Sequence, residues 1–333
     1  MSLPIRILVI ALISVVVVFG LVIVGMGLRN VWRSLASTKW PRVRGAVLES
    51  STSLSLSRDR QTGVKSATYQ ARITFGYQVG GKSYTTDTLH FGQTVGSGDS
   101  SDAELRHRRY PVGAPVSVWY NPADPSIATV KPGVYADVFW LPGAGLAFAV
   151  PCIVALLFFL TMETRVRAFG IAMGLFAALI CLVGGAMLAA GLARLWHAYA
   201  SQSWPVTSGE VVYAQQDAST SVTRYDDGTS ERATSYGANL VFQYEVGGTV
   251  HFANTRRFGH LDAAGKDWAD EIARRYPKGA QVKVAYCPSD PDLAVLEPGI
   301  DSEAYWLPGA GLAVLLFGLA VLVWGAPALA SIP

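Results

Sequence analysis

Trp140-Leu141-Pro142-Gly143-Ala144-Gly145-Leu146-Ala147 is written a second time, letter for letter, at Trp306–Ala313, half a chain length further on. In both places it stands where a polar region gives way to a long apolar run. An identical octapeptide at that distance marks one half of the 333-residue chain as a copy of the other. The matches continue outward in order. Arg108-Arg109-Tyr110-Pro111-x-Gly113 answers Arg274-Arg275-Tyr276-Pro277-x-Gly279, and Asn121-Pro122-x-Asp124-Pro125 answers Cys287-Pro288-x-Asp290-Pro291. Upstream, Trp40-Pro41 matches Trp204-Pro205, and Phe75-x-Tyr77-x-Val79-Gly80-Gly81 matches Phe242-x-Tyr244-x-Val246-Gly247-Gly248. So many ordered matches establish a tandem duplication.

The chain is 51% hydrophobic and only 15% charged, too apolar for an ordinary soluble protein. Ile7–Gly27, Leu141–Leu160, Ala168–Gly191 and Leu307–Trp324 contain no Asp, Glu, Lys or Arg. Each is long enough to cross a hydrocarbon core, which takes about 20 residues. The expected division is a transmembrane helix and signal anchor at 1–29, a β domain at 30–137 and a second helix at 138–161. A short loop at 162–167 leads to a third helix at 168–193, a second β domain at 194–303, a fourth helix at 304–325 and a tail at 326–333. The first apolar run is too long for a cleaved signal peptide, and no Ala-x-Ala site precedes Arg29. Two helices per repeat put both β domains on one face, as parallel repeats about a pseudo-two-fold axis along the membrane normal. Arg6, Arg165 and Arg167 lie on the opposite side and favour a cytoplasmic location for it, hence extracytoplasmic β domains. Arg29, Arg33, Lys39, Arg42 and Arg44 on the domain side weigh the other way.

Within each polar region, alternation such as Ile73/Phe75/Tyr77/Val79 reads as a half-buried strand, and the Gly pairs at 80–81 and 247–248 as tight hairpins. A short helix precedes each Tyr-Pro. In copy one it carries a capping-box pattern, Ser101-x2-Glu104; in copy two Asp262–Tyr276 reads as a longer helix. Strands at Val116–Tyr120 and Ile127–Val130 follow, joined by the Asn-Pro-Ala-Asp-Pro turn. The fold class is therefore an α+β membrane protein, with four transmembrane helices and two small, mainly antiparallel β domains, each with one helix. Glu49–Thr68 and Gln215–Ser235 are the least alike stretches. Rich in Ser and Thr, they read as long exposed hairpins or loops, the surface freest to specialise.

No catalytic constellation emerges. His90, His107, His197, His251 and His260 have no His counterparts in the other copy. His251, His260 and Cys287 share one domain but match no metal-ligand spacing. A clustered polar site with His251, His260 or Asp262 would mark an enzyme or accessory subunit of the cell envelope, the alternative reading. Gly96-Ser97-Gly98 reads as a turn rather than a phosphate cradle. Cys152 and Cys181 lie in membrane runs, so no disulfide framework is expected. No catalytic, cofactor or metal residue is assigned, and nucleic acid is not expected from a net charge of +3 spread over both domains. Transport is disfavoured because the four spans hold no ionisable group. Gly170-x3-Gly174 offers a small-residue face for helix packing. The candidate partner-binding residues are Arg108 and Arg109, Arg274 and Arg275, and Arg224 and Tyr225 in the divergent stretch of copy two.

The run Trp-Pro-x3-Gly-x-Val, Tyr-x-Val-x-Gly, Tyr-Pro-x-Gly-x2-Val-x-Val-x-Tyr-Asn-Pro-x-Asp-Pro and Pro-Gly before a membrane helix resembles a bacterial membrane-protein family, domain of unknown function 3592. Copy two departs from the pattern at Cys287 and His251, where copy one has Asn121 and Tyr84. The resemblance implies an integral membrane protein with extramembrane β modules and brings no activity, cofactor or site residue. The expectation is a non-enzymatic, multi-pass protein of the bacterial inner membrane. Its partners would be the lipid bilayer and a protein, an envelope component or a second copy, in an adaptor, sensor or immunity-type role with no small-molecule substrate.

Overall fold

The computed structural model describes residues 3–58, 65–93, 99–160, 165–224, 230–259 and 263–330; Gly96–Gly98, Tyr225, His260 and Asp262 lie outside them. The first half runs α1 (Leu3–Ser37), β1 (Arg42–Arg58), β2 (Lys65–Val79), β3 (Lys82–Thr86), α2 (Ser100–Arg109), β4 (Pro115–Asn121), β5 (Asp124–Thr129) and α3 (Trp140–Leu160). The second repeats it: α4 (Arg165–Ala200), β6 (Val206–Arg224), β7 (Ser230–Val246), β8 (Thr249–Ala253), β9 (Ala263–Ala264), α5 (Lys266–Arg275), β10 (Gln281–Cys287), β11 (Asp290–Val295) and α6 (Trp306–Ala330).

Four helices are long and apolar enough to cross a membrane. They pair as two antiparallel hairpins, α1 with α3 and α4 with α6. Glycine sets the distance within each. An added Cβ on Gly20 would stand 2.9 Å from that of Ala149, and one on Gly27 would collide with Pro142. In the second hairpin Gly184 meets Leu315 in the same way, and a Cβ on Gly191 would stand 2.5 Å from the Pro308 nitrogen. From the facing helices Gly145 abuts Val24 and Gly311 abuts Leu188. The contact glycines of α1 and α4 are seven residues apart, two helical turns, so they lie on one stripe. Gly174, half of the expected Gly-x3-Gly face, has nothing within 4 Å. The close packing uses the longer spacing instead.

α1 and α4 continue past their apolar runs, to Ser37 and Ala200, beyond the boundaries at 29 and 193 drawn from hydrophobicity alone. Nothing stops either helix until a Trp-Pro pair, whose proline disfavours helical geometry in the residue before it. The extension clasps the polar module. Ser37 Oγ accepts from Gly133 N at 3.1 Å, and Ser201 Oγ accepts from Gly299 N at 3.1 Å.

Each module is an antiparallel meander with two further strands added beside its first, in the order β3-β2-β1-β4-β5 and β11-β10-β6-β7-β8; β9 pairs β7. Tyr77 pairs with Tyr84 across a two-glycine turn with φ of 57° and 79°, as expected. The sheet curls until the chain beyond β5 bonds the chain beyond β3, Lys131 N donating to Leu89 O at 2.7 Å and Glu297 N to Arg256 O at 2.9 Å. One face buries Val47, Phe75, Tyr77 and Val118 under Tyr110; the second core uses Val211, Phe242, Tyr244 and Val284 with Ile272. Two helix expectations are corrected. Asp99, not Ser101, caps α2, accepting from Ser101 N at 2.7 Å. α5 has 10 residues, like α2, because Ala263–Ala264 joins the sheet as β9.

The modules do not pack reciprocally, as a pseudo-two-fold axis requires. α2 lies between its own sheet and the back of the second, against β6, β7 and β8, whereas α5 packs on its own module alone, against β6, β7 and β9. Asn239 and Val241 point away from the core residues Leu240 and Phe242, yet both are buried, because α2 covers them. The back of the first sheet has no such cover, and Leu48 there is 55% exposed.

Gly27→Leu is expected to lower the unfolding midpoint of the detergent-solubilised chain, at a cost of about 1–3 kcal/mol for overpacking. Gly25→Leu, with nothing within 4 Å of the added Cβ, leaves it unchanged. Equal effects from the two substitutions would refute the glycine seam.

Candidate functional site

Four of the sequence-selected arginines make polar contacts within the chain. Arg108 Nε donates to Glu104 Oε1 at 2.6 Å, one turn back on α2. Arg274 Nε reaches the carbonyl of Asp270 at 3.2 Å, and Arg275 approaches Glu297 at 3.4 Å. Arg224 ends β6, and Tyr225 after it is outside the described residues. Arg109 crosses to the other module, donating to the carbonyl of Phe252 at 2.6 Å and standing 3.6 Å from the Asp292 carboxylate.

That carboxylate is the centre of a four-residue cluster between the modules. His251 Nδ1 lies 2.9 Å from it and Lys131 Nζ 3.8 Å. β8 and β11 of the second module supply His251 and Asp292; the end of α2 and the segment after β5 supply Arg109 and Lys131. Burial alone raises the Asp292 carboxyl, but the His251 hydrogen bond and the Arg109 and Lys131 charges outweigh it and hold it below the usual carboxylate range. Burial and the neighbouring Arg109 push the Lys131 ammonium down, against the pull of Asp292. Arg109 Nε is buried without a partner among the described residues.

At the other end of α2 a second polar cluster repeats the logic with neutral donors. Asp217 accepts from Tyr69 Oη at 2.9 Å, from Ser100 N at 3.3 Å and from Asn239 Nδ2 at 2.5 Å. Asn254 Nδ2 donates to Ser101 Oγ and Asp102 at 3.2 and 2.9 Å. The side chains of Ser100 and Ser101 are small enough for α2 to lie close on the second sheet. Burial, then the Asp217 contact, push the Tyr69 phenol up to about 12.

Sequence reasoning named Arg109 and noted His251 but did not bring them together with Asp292 and Lys131, and it found no member of the second cluster. The signal lies in residues the copies do not share. Asp292 stands where copy one has Ser126, Lys131 where copy two has Glu297, and His251 where copy one has Tyr84. Glu297 stays within its module, held by Tyr276 Oη at 2.8 Å and by Arg256 and Arg257 at 3.0 and 2.8 Å. Cys287 Sγ is 3.2 Å from Ser289 Oγ, and among the described residues no three His, Cys, Asp or Glu side chains gather as metal ligands.

A third feature sits where the first module meets its membrane helices. A recess of about 330 Å³ is lined by Asn30, Arg33, His90, Gln93, Asp137 and Trp140. His90 lies 3.7 Å from Asp137 with its ring 4.6 Å from that of Tyr135, and burial pulls its imidazole below the ordinary value.

A carboxyl depressed in the folded chain stabilises it fully above the unfolded value, and that stability fades as pH falls through the folded one. Asp292→Asn is therefore expected to speed hydrogen exchange of the α2 amides at neutral pH, a loss of about 1 kcal/mol once screening of a partly exposed group is allowed for. The gap between wild type and variant narrows as pH drops below the carboxylate range, because the wild-type group is then neutral too. A gap independent of pH would show that charge is not what Asp292 supplies.

Among known proteins, a family described as "Domain of unknown function (DUF3592)" matches residues 43–135 and 207–301, together more than half of the chain. The two matched stretches are the two β modules. No curated protein matches the chain.

Proposed function

The chain belongs to the DUF3592 family, in two copies, and on that premise we propose that it is a non-enzymatic binding protein of the bacterial inner membrane. Four apolar helices anchor it, and its two modules form one head that binds a protein or another envelope component. The observation that carries this reading is the pairing of a locked head with two long arms. β1 pairs with β2 as far as Arg58 and Lys65, and β6 with β7 as far as Arg224 and Ser230. Residues 51–56 and 232–235 on these arms are exposed, Leu54 and Leu56 at 52% and 66%. Side chains that neither fold the module nor join it to its neighbour are free to meet a partner. The positive-inside balance of Arg6, Arg165 and Arg167 supports an extracytoplasmic head.

Deleting the whole of Gln215–Ser235 would be a poor test, since Asp217 belongs to the contact between modules. Replacing Ser221–Ala233 with Asn-Gly keeps Asp217 and closes the hairpin at the Thr220–Thr234 pair. With photo-crosslinkers at Leu54, Leu56 and Thr220 of the full chain in its native membrane, a discrete adduct is expected at the arms and none at Glu271. Trimming the second arm is expected to lower the Thr220 adduct several-fold while the protein still inserts. Arms that yield no adduct would remove the support for a binding head. Reporter fusions after Pro333 and at Thr220 read its side of the membrane.

A further inference from the structure

The duplication supplies an internal control for charge. Past the apolar run of α1 stand Arg29 and Arg33 on the rest of that helix, Lys39 after it, and Arg42 and Arg44 at the start of β1. Aligning Trp32 with Trp196 and Trp40-Pro41 with Trp204-Pro205, without a gap, puts Ala193, His197, Ser203, Val206 and Ser208 opposite them. The second copy builds the same joint without these five cations, its own cation there being Arg194 opposite Asn30, so the fold does not need the five. None of the five makes an ion pair among the described residues. Their acidic neighbours are engaged elsewhere. Asp137 faces His90 at 3.7 Å, and Asp124 is held low mainly by hydrogen bonds from Ser126, with Arg33 the smallest contribution.

Their height is fixed by the helix hairpin. Gly27 packs on Pro142, which puts Arg29 level with Trp140 and Arg33 one turn, about 6 Å, above it. Trp32 and Trp140 are 73% and 72% exposed, as indoles at a headgroup boundary are. Arg33 also lines the recess of about 330 Å³ beside Asn30 and Trp140, within the size range of small-ligand sites.

We propose that the cations of this stretch, Arg29 and Arg33 on α1 foremost, bind the phosphodiester headgroup of an anionic phospholipid, and that the second copy does not. Cations at the membrane surface attract anionic lipid additively and within a Debye length. The apolar flank of Trp32 and Trp140 meets the glycerol and upper acyl region while the guanidiniums hold the phosphate.

The test uses the full chain in nanodiscs of equal phosphatidylcholine and phosphatidylglycerol, where both leaflets are accessible and orientation has no influence, followed by native mass spectrometry of retained lipid. The wild type is expected to retain phosphatidylglycerol over phosphatidylcholine by about fivefold or more. The variant R29A/R33H/K39S/R42V/R44S carries the residues that copy two already accommodates, and it is expected to retain the two equally with an unchanged unfolding midpoint. The reverse variant A193R/H197R is expected to add a second retained phosphatidylglycerol. The proposal is overturned if the first variant keeps the wild-type ratio, or if that variant fails to fold and the reverse variant gains nothing. Loss of the preference on adding millimolar inorganic phosphate would show a site for free phosphate and overturn the lipid assignment.

Discussion

Two apolar helices in a bilayer gain nothing from excluding water, so the closeness of their contact is what holds them together. In this protein closeness comes from glycines spaced by two turns, Gly20 and Gly27 on α1 and Gly184 and Gly191 on α4, each against a helix that opens with Trp-Leu-Pro-Gly-Ala-Gly. Everything above the membrane inherits its position from that seam. The depth of Gly27 on Pro142 sets the height of Trp140, and the extension of α1 to Ser37 brings its hydroxyl to Gly133. Repeated at Gly191, Pro308, Ser201 and Gly299, the device mounts two modules at one height.

Equal mounting leaves the modules free to differ where they meet. A duplicated domain that docks on its twin through a different face needs those two faces to be complementary, and the copies must differ there. Here the change is complementary. Copy one keeps Lys131 and lets Arg109 turn outward; copy two supplies Asp292 and His251 to receive them and turns its own Arg275 inward on Glu297. Asp217 and Asn239 in copy two accept the N-terminal end of α2 in the same manner. Divergence between the halves is thus accounted for at these positions by docking of one half on the other.

The duplication, the four spans, the glycine hairpins and the alternating strands were legible in the sequence because each has a local signature: identity, an unbroken apolar run, Gly-Gly, period-two alternation. The self-capped turn was legible too, Asp124 Oδ1 accepting from Ser126 N at 3.1 Å. The helix ends were not. Hydrophobicity marks where a chain leaves the lipid, not where a helix stops, and Trp40-Pro41 was the truer terminator. The axis relating the halves was also illegible, since matching motifs fix the order of elements but not the face on which they meet. Four of the candidate arginines, Arg108, Arg109, Arg274 and Arg275, are shared by the copies, and their contacts are with Glu104, the neighbouring module, Asp270 and Glu297.

A one-sided contact of helix on sheet carries a hazard, because a surface that docks on a copy of its own module can go on docking and grow a filament. The second module answers this with its own helix. Where α2 offers Ser100 and Ser101, buried to 2% and 3% exposure, α5 carries Lys266 and Asp267, both exposed, with Glu271 and Arg274 further along the same outer surface. The outer surface of α5 is thus no counterpart of the surface by which α2 docks. On the back of the first sheet Arg72, exposed, stands where copy two has Asn239, so that face lacks the Asn239–Asp217 pair on which the N-terminal end of α2 docks.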